Sequence, residues 1–277
     1  MSVRIITDST ADVSSASLKR LTRVPLTISF GTEEYVDGVT ITHSDFYNKL
    51  VASDQLPTTS QPTPAAFEAA FEEATAAGDS VVVLTISSKL SGTYQSACIA
   101  ASEFDHVYVV DTRNAAIGAG CLAEYALLLA DQGMDAKSIA DVLIRDREKI
   151  RLFAILDTLE YLKKGGRISS TVAFVGGMLS IKPVISVSDG VVGVVAKARG
   201  AKQGTVTLIN EIEKSGGIDL SKPCLLGYTG NNPAPLQDFA AKAAPLWDHF
   251  EVPHTQLCSV IGTHVGPGAV AIAYFAK

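Results

Sequence analysis

Along the first half of the chain, short β-branched apolar runs alternate with stretches that carry helix signals. Val3 to Thr7 reads as a buried strand, and the polar Asp8-Ser9-Thr10 after it is able to cap the next element. Val24 to Phe30 reads as a second strand. Thr42-His43-Ser44-Asp45 has capping-box spacing, with aspartate in the acidic place, and predicts a helix through Leu50. Thr63-Pro64 sets a cap and an N1 proline ahead of a helix over Ala65 to Ala77. Val81 to Ile86 and Val107 to Val110 are continuous apolar runs. Such runs, separated by helices, predict a parallel sheet covered on both faces.

Beyond about residue 150 the pattern changes. Ile181 to Ser188, Asp189-Gly190 and Val191 to Ala198 predict a hairpin around an Asp-Gly turn. Leu225 to Tyr228 and Ala269 to Phe275 supply further strands, with helices near Thr205–Lys214 and Pro235–Trp247. The expected fold class is α/β in two domains. An α/β/α domain with a mainly parallel sheet covers residues 1–150, and an α/β domain with a mixed sheet covers residues 151–277. No repeat, low-complexity tract or flexible linker parts them, so close packing and a ligand at the junction are expected.

The 277 residues are 47% hydrophobic and 19% charged, enough to build a sizeable core. Lysines and arginines number 23 against 29 acids, a net charge of −6 that argues against a nucleic-acid binder. Cys98, Cys121, Cys224 and Cys258 have no close pair, which argues against a disulfide scaffold and leaves them as buried small hydrophobes. Asp8 interrupts the N-terminus before a signal-peptide core forms, and apolar stretches such as Ala269 to Ala276 fall far below the roughly 20 residues of a membrane span. The expectation is a cytoplasmic protein with no transmembrane segment.

Four polar segments are candidates for chemistry. Thr58 to Pro64 is a hydroxyl-rich loop before a helix, and Ser87 to Tyr94 joins an apolar strand to an alanine-rich helical stretch. Each is either ordinary N-capping or an anion site built from free amides, a helix dipole and hydroxyls. Leu162 to Ser169 is a compact basic loop. Its Lys163-Lys164-Gly165-Gly166 suits a helix stop, and Arg167 is open to an anionic ligand or an acidic partner. Gly262 to Gly268 is a turn-rich loop in which His264 stands among residues that allow close approach. The other histidines show no metal-ligand spacing. There is no G-x-x-x-x-G-K-[ST] and no G-x-S-x-G, and Gly118 to Ala123 lacks the strand-to-helix turn of a dinucleotide fingerprint.

Read in order, these segments resemble the DegV proteins, the fatty-acid-binding subunits (FakB) of bacterial fatty acid kinase. The resemblance runs over nearly the whole chain. It rests on Asp8-Ser9, Tyr35-Val36-Asp37-Gly38, Thr59-Ser60-Gln61-Pro62, Leu90 to Ser96, Leu162 to Ile168, Ile181-Lys182-Pro183 and His264 to Gly268. It implies a fatty acid buried between two α/β domains, its carboxylate held by Thr59 and Ser91, with Ser60, Gly92 and Thr93 beside them. Arg167 and His264 would lie near the carboxylate, with Arg167 and Lys164 facing a separate ATP-dependent kinase subunit. The resulting acyl phosphate would pass to an acyltransferase of phospholipid synthesis, and transient contact with a membrane is compatible with that role. No cofactor or metal is implied, and the chain itself would not be the enzyme. Burying about sixteen carbons at ~0.8 kcal/mol each favours binding by on the order of 10 kcal/mol before ordering costs. The alternative from the residues alone is a serine-dependent hydrolase or acyl transferase, with Ser91 or Ser60 as nucleophile and His264 as base.

Overall fold

The structure, a computed structural model, describes residues 2–168 and 181–277. Ser169, the end of the basic loop, lies outside the described residues. The chain order is β1 (Val3–Asp8), α1 (Ser15–Leu18), β2 (Thr22–Val24), β3 (Thr27–Phe30), β4 (Glu33–Val36), α2 (His43–Ala52), β5 (Thr58–Ser60), α3 (Pro64–Ala76) and β6 (Ser80–Thr85). There follow α4 (Thr93–Ala101), β7 (Val107–Asp111), α5 (Ala116–Asp131), α6 (Ala136–Asp146), β8 (Ile150–Ile155), α7 (Glu160–Lys164), β9 (Ile181–Ser188) and β10 (Val191–Arg199). The chain ends with α8 (Gly200–Lys214), β11 (Cys224–Tyr228), α9 (Ala234–Ala243), β12 (His254–Gln256), α10 (Ser259–Val265) and β13 (Val270–Phe275).

The apolar runs build the expected parallel sheet, in the order β2-β1-β6-β7. Its strands are apolar on both faces because both are covered. Ile6, Val81 and Val83 pack with Phe67, Phe71 and Ala97 of α3 and α4, while Ile5, Val82 and Leu84 share a core with Ile117 and Leu143 of α5 and α6. The second sheet is mixed, in the order β10-β9-β8-β13-β11-β12. The strand period of two divides its residues cleanly. Phe153, Ile155, Ile272 and Tyr274 meet α8 and α9, while Leu152, Ala154, Ala271 and Ala273 turn to the core they share with α5. Helix α5 is apolar around its circumference because it lies against strands of both sheets. A Cβ at its Gly120 would overlap the Asp12 carbonyl, so this glycine serves close packing rather than nucleotide binding.

Several expectations need correction. Val24 to Phe30 is not one strand: Pro25 has no amide to donate, and the run divides into β2 of the parallel sheet and β3 of a small antiparallel sheet, β4-β3-β5. Thr58 to Ser60 is therefore a strand rather than loop. Asp8-Ser9-Thr10 caps no helix; it is buried, and Ser14 caps α1. The helix expected at Thr205 begins at Gly200, and the one at Pro235 tightens into a 3₁₀ turn after Ala243, where Pro245 interrupts the bonding. The turn-rich Gly262 segment is helical as far as Val265. Cys121 and Cys258 are buried, whereas Cys98 and Cys224 are half-buried.

Candidate functional site

A cavity of about 340 Å³ lies between the carboxyl ends of the parallel strands and the inward face of the mixed sheet. That is a usual size for a small-molecule site, at the usual end of a parallel sheet. Ile86 follows β6, Ala115 and Ala116 open α5, and Leu152, Ala154, Ile185, Val187 and Ala271 project from β8, β9 and β13. Leu257, Val260, Ile261 and Val265 reach in from α10 and the residues before it. The space exists because several of these inward positions, Ala115, Ala116, Ala154, Ala269 and Ala271, carry only a methyl group.

The polar lining residues are Thr59, Ser60, Gln61, Ser91, Gly92, Arg167 and His264, and hydrogen bonds and close packing connect most of them. In β5 the side chains alternate, so Thr58 and Ser60 are exposed while Thr59 is half-buried and turned inward. Thr59 Oγ1 lies 3.0 Å from His264 Nε2. Gly165 stands against the same ring: a Cβ there would run into His264 Nδ1, so only glycine allows the basic loop this close. The Gly165 carbonyl accepts from Arg167 Nη1 at 2.7 Å, and Arg167 Nε donates to the Leu90 carbonyl at 3.2 Å, next to Ser91. Ser91 Oγ sits 2.9 Å from Thr93 Oγ1 and accepts from the Thr93 amide at 3.3 Å. Gln61 packs over the bare face of Gly92 and donates to Ser96 Oγ at 3.0 Å.

The residues singled out from sequence thus fall into two groups. Thr59, Ser60, Ser91, Gly92, Arg167 and His264 line one cavity. Thr93 stands one layer back and is buried behind Ser91. Lys164 lies outside the cavity, exposed, and pairs with Glu160 at 2.6 Å at the end of α7. Lys163-Lys164-Gly165 ends that helix, as the helix-stop reading requires, and Arg167 beyond it enters the lining. Gln61 belongs to the Thr59–Pro62 motif, but nothing in its local sequence pattern shows that it packs on Gly92.

His264 governs the electrostatics. Burial, and then the positive Arg167 nearby, lower its pKa from 6.5 to about 4, so the ring is neutral at neutral pH. Its Nδ1 is buried with no partner among the described residues. A neutral imidazole carries one N–H. If Thr59 donates to Nε2, that N–H is on Nδ1; if Nε2 donates to Thr59, the threonine hydroxyl is released to donate. Only the second arrangement offers a donor to an acceptor in the cavity, because Nδ1 is buried against Gly165. The same geometry is poor for nucleophilic catalysis. The histidine bonds Thr59 rather than Ser91, no carboxylate orients its other nitrogen among the described residues, and a pKa near 4 makes a weak base.

Apolar walls with a connected polar end, rich in donors and carrying one guanidinium, suit an apolar molecule that ends in an anionic group. Known proteins match the chain along its whole length. Residues 2–277 match the family described as uncharacterised protein, DegV family. A DegV domain-containing protein of Caldanaerobacter subterraneus is 33% identical over 279 residues, 99% of each chain. A DegV family protein of Thermus thermophilus, its structure described as one of fatty acid binding, superposes with a TM-score of 0.89 at 31% identity over 100% of both chains. A structure described as a DegV lipid binding protein of Thermotoga maritima gives a TM-score of 0.88 at 27% identity, over 99% of this chain and 98% of the other. The chain belongs to the DegV family.

Proposed function

We propose that this protein holds a long-chain fatty acid in the cavity, with the carboxylate on Thr59, Ser91 and the amides around Gly92. The observation that carries the reading is the meeting of both hydroxyl segments, His264 and Arg167 at a cavity whose other walls are apolar. An unpaired buried carboxylate is costly, and two hydroxyls, an imidazole and a guanidinium offset that cost without a metal. The fatty-acid and lipid binding described for the Thermus and Thermotoga relatives supports the same assignment. Organic extraction of the purified protein should release a fatty acid detectable by mass spectrometry, and the stripped protein should bind palmitate or oleate. No extractable acid together with no binding refutes the reading.

The role that follows is that of a carrier rather than an enzyme, a FakB-type subunit of a fatty acid kinase system. In such a system ATP is held by a separate kinase subunit, and the lack of a Walker-type phosphate loop in this sequence is consistent with that division. On that partner a carboxylate oxygen attacks the γ-phosphorus of ATP and ADP departs, giving an acyl phosphate for an acyltransferase of phospholipid synthesis. Arg167, at the cavity, and the exposed Lys164 are the residues we assign to the kinase-facing side. We place the work in the cytoplasm with transient membrane contact; no described helix is long and apolar enough to cross a membrane. We propose a division of the chain at residues 1–150 and 151–277, with the lipid between the two parts.

A further inference from the structure

The segment leading into α10 is gripped by side chains from the other half of the chain. Asp12 Oδ1 accepts from the Cys258 amide at 2.9 Å, across 246 residues of sequence. Asp37 Oδ1 accepts from the next amide, Ser259, at 3.1 Å, across 222 residues. The Tyr47 hydroxyl donates to the Leu257 carbonyl at 2.9 Å. All three are deeply buried, with Asp12 4%, Asp37 2% and Tyr47 2% exposed. Helix α10 has only seven residues, and its N-cap residue Cys258 makes no side-chain bond to it. A helix below ~12 residues is marginal on its own, so its first amides depend on acceptors brought from elsewhere. At its far end the same helix carries His264, bonded to Thr59.

A related bond holds the opposite wall. Asp8, four residues before Asp12, accepts from the Ile86 amide through Oδ2 at 2.7 Å, at the start of the loop that carries Ser91. One buried stretch, residues 7–13, therefore reaches both elements that bear the polar end of the cavity.

We infer that Asp12, Asp37 and Tyr47 are positioning residues for head-group recognition: they fix α10 along the cavity and so set where His264 meets a bound carboxylate. None of the three lines the cavity. The inference rests on the fatty-acid reading for its ligand, and on the observed geometry alone for the link to His264. A short packed helix moves as a rigid unit, so a displacement at Cys258 reaches His264. Binding groups lose their effect when displaced by a fraction of an ångström to an ångström. A carboxyl oxygen accepts from a helix N-terminal amide in either protonation state, so Asp12 holds this junction even though burial raises its pKa well above 3.8.

The test compares Asp12→Ala, Asp37→Ala and Tyr47→Phe with the wild type, after removal of bound lipid. Palmitate and hexadecanol share a tail and differ at the head. Palmitate affinity should fall by roughly tenfold in the alanine variants and by about threefold in Tyr47→Phe, with hexadecanol nearly unchanged. The ¹³C carboxyl resonance of bound [1-¹³C]palmitate should move, and Asp12→Asn and Asp37→Asn, which keep an acceptor oxygen, should restore it. An unchanged palmitate-to-alcohol ratio and resonance in folded alanine variants overturn the inference, as they do in Tyr47→Phe if the alanine variants fail to fold. Wild-type protein that binds neither lipid defeats the fatty-acid reading instead. The positioning is then read from the ¹⁵N resonances of the His264 ring in ligand-free protein, which the variants should shift; unshifted resonances overturn it.

Discussion

If the apolar tail lies along the mixed sheet, filling the cavity from that sheet must shorten the acid it accepts. Ala154 on β8 and Ala271 on β13 are register partners, both buried, and both line the cavity. Leucine at either position adds about three carbons on the cavity side, which displace about as many tail carbons; at ~0.8 kcal/mol per CH₂ this costs ~2.4 kcal/mol. At 1.4 kcal/mol per tenfold, palmitate affinity should fall about fiftyfold in Ala271→Leu, while an acid about three carbons shorter should bind the variant about as well as it binds the wild type. The lipid-free variant should melt no lower than the wild type, because the new side chain fills space already present. Titration of stripped protein with a series of saturated acids, alongside thermal melts, measures both effects. Unchanged palmitate affinity in a folded variant refutes the placement of the tail. An equal loss for short and long acids refutes the reasoning in another way, by showing that the head site was disturbed.

Three further outcomes follow from the polar end. Thr59→Val and Ser91→Ala should each weaken palmitate binding by about tenfold, and less than additively because both act on one carboxylate; calorimetry showing unchanged affinity in the double variant removes them from the site. If docking of the kinase dominates the role of Arg167, Arg167→Ala should leave lipid affinity nearly intact and lower acyl-phosphate formation by a reconstituted kinase, mimicking added salt on the wild type; parallel loss of binding shows instead that its main role is at the carboxylate. His264 has a folded pKa of about 4 against 6.5 for the free side chain, so protons bind the unfolded chain first. Stability should therefore fall as pH drops from 6.5 towards 4 and level off below, by roughly 3 kcal/mol in total. Urea melts of His264→Gln that keep this full pH dependence refute it, and NMR titration should show the His264 pKa rising when an anionic lipid binds.

Much of the architecture could be read from local pattern. The uninterrupted Val81–Ile86 run, the Thr63-Pro64 cap and the Asp-Gly turn each name one element and its boundary, and β6, α3 and the β9–β10 hairpin follow them. The turn even shows the expected positive φ, 48° at Asp189 and 78° at Gly190. Elements set by tertiary contact were less legible. Helix α10 reads as loop because Gly262, Thr263 and Gly266 are poor helix formers, and the acceptors for its first amides lie more than 200 residues earlier. Strand β8 follows the charged Arg145 to Lys149 stretch and has no polar face to reveal a period, since both of its sides are buried. For the site, composition and capping patterns marked two hydroxyl segments but left capping and anion binding equally open. Only the resemblance linked Thr59 with Ser91 and His264, because their proximity is a property of the packed sheets and not of spacing.

The two ends of the cavity act on binding in separable ways. Each buried methylene contributes a nearly constant increment, so a plot of binding free energy against chain length has a slope set by the walls. Head contacts are made once per molecule, whatever the tail, and set the intercept. A substitution at Ala154 or Ala271 should therefore bend the plot where the tail meets the new side chain, while one at Thr59 or Ser91 should shift it bodily. The neutral imidazole matters to the intercept. A charged His264 beside Arg167 would put two cations together at the polar end, attracting small anions that have no tail to bury. With the ring neutral, Arg167 is the only formal charge among the described lining residues. A free anion then gains little against the net charge of −6, and affinity is reserved for molecules that also fill the apolar walls.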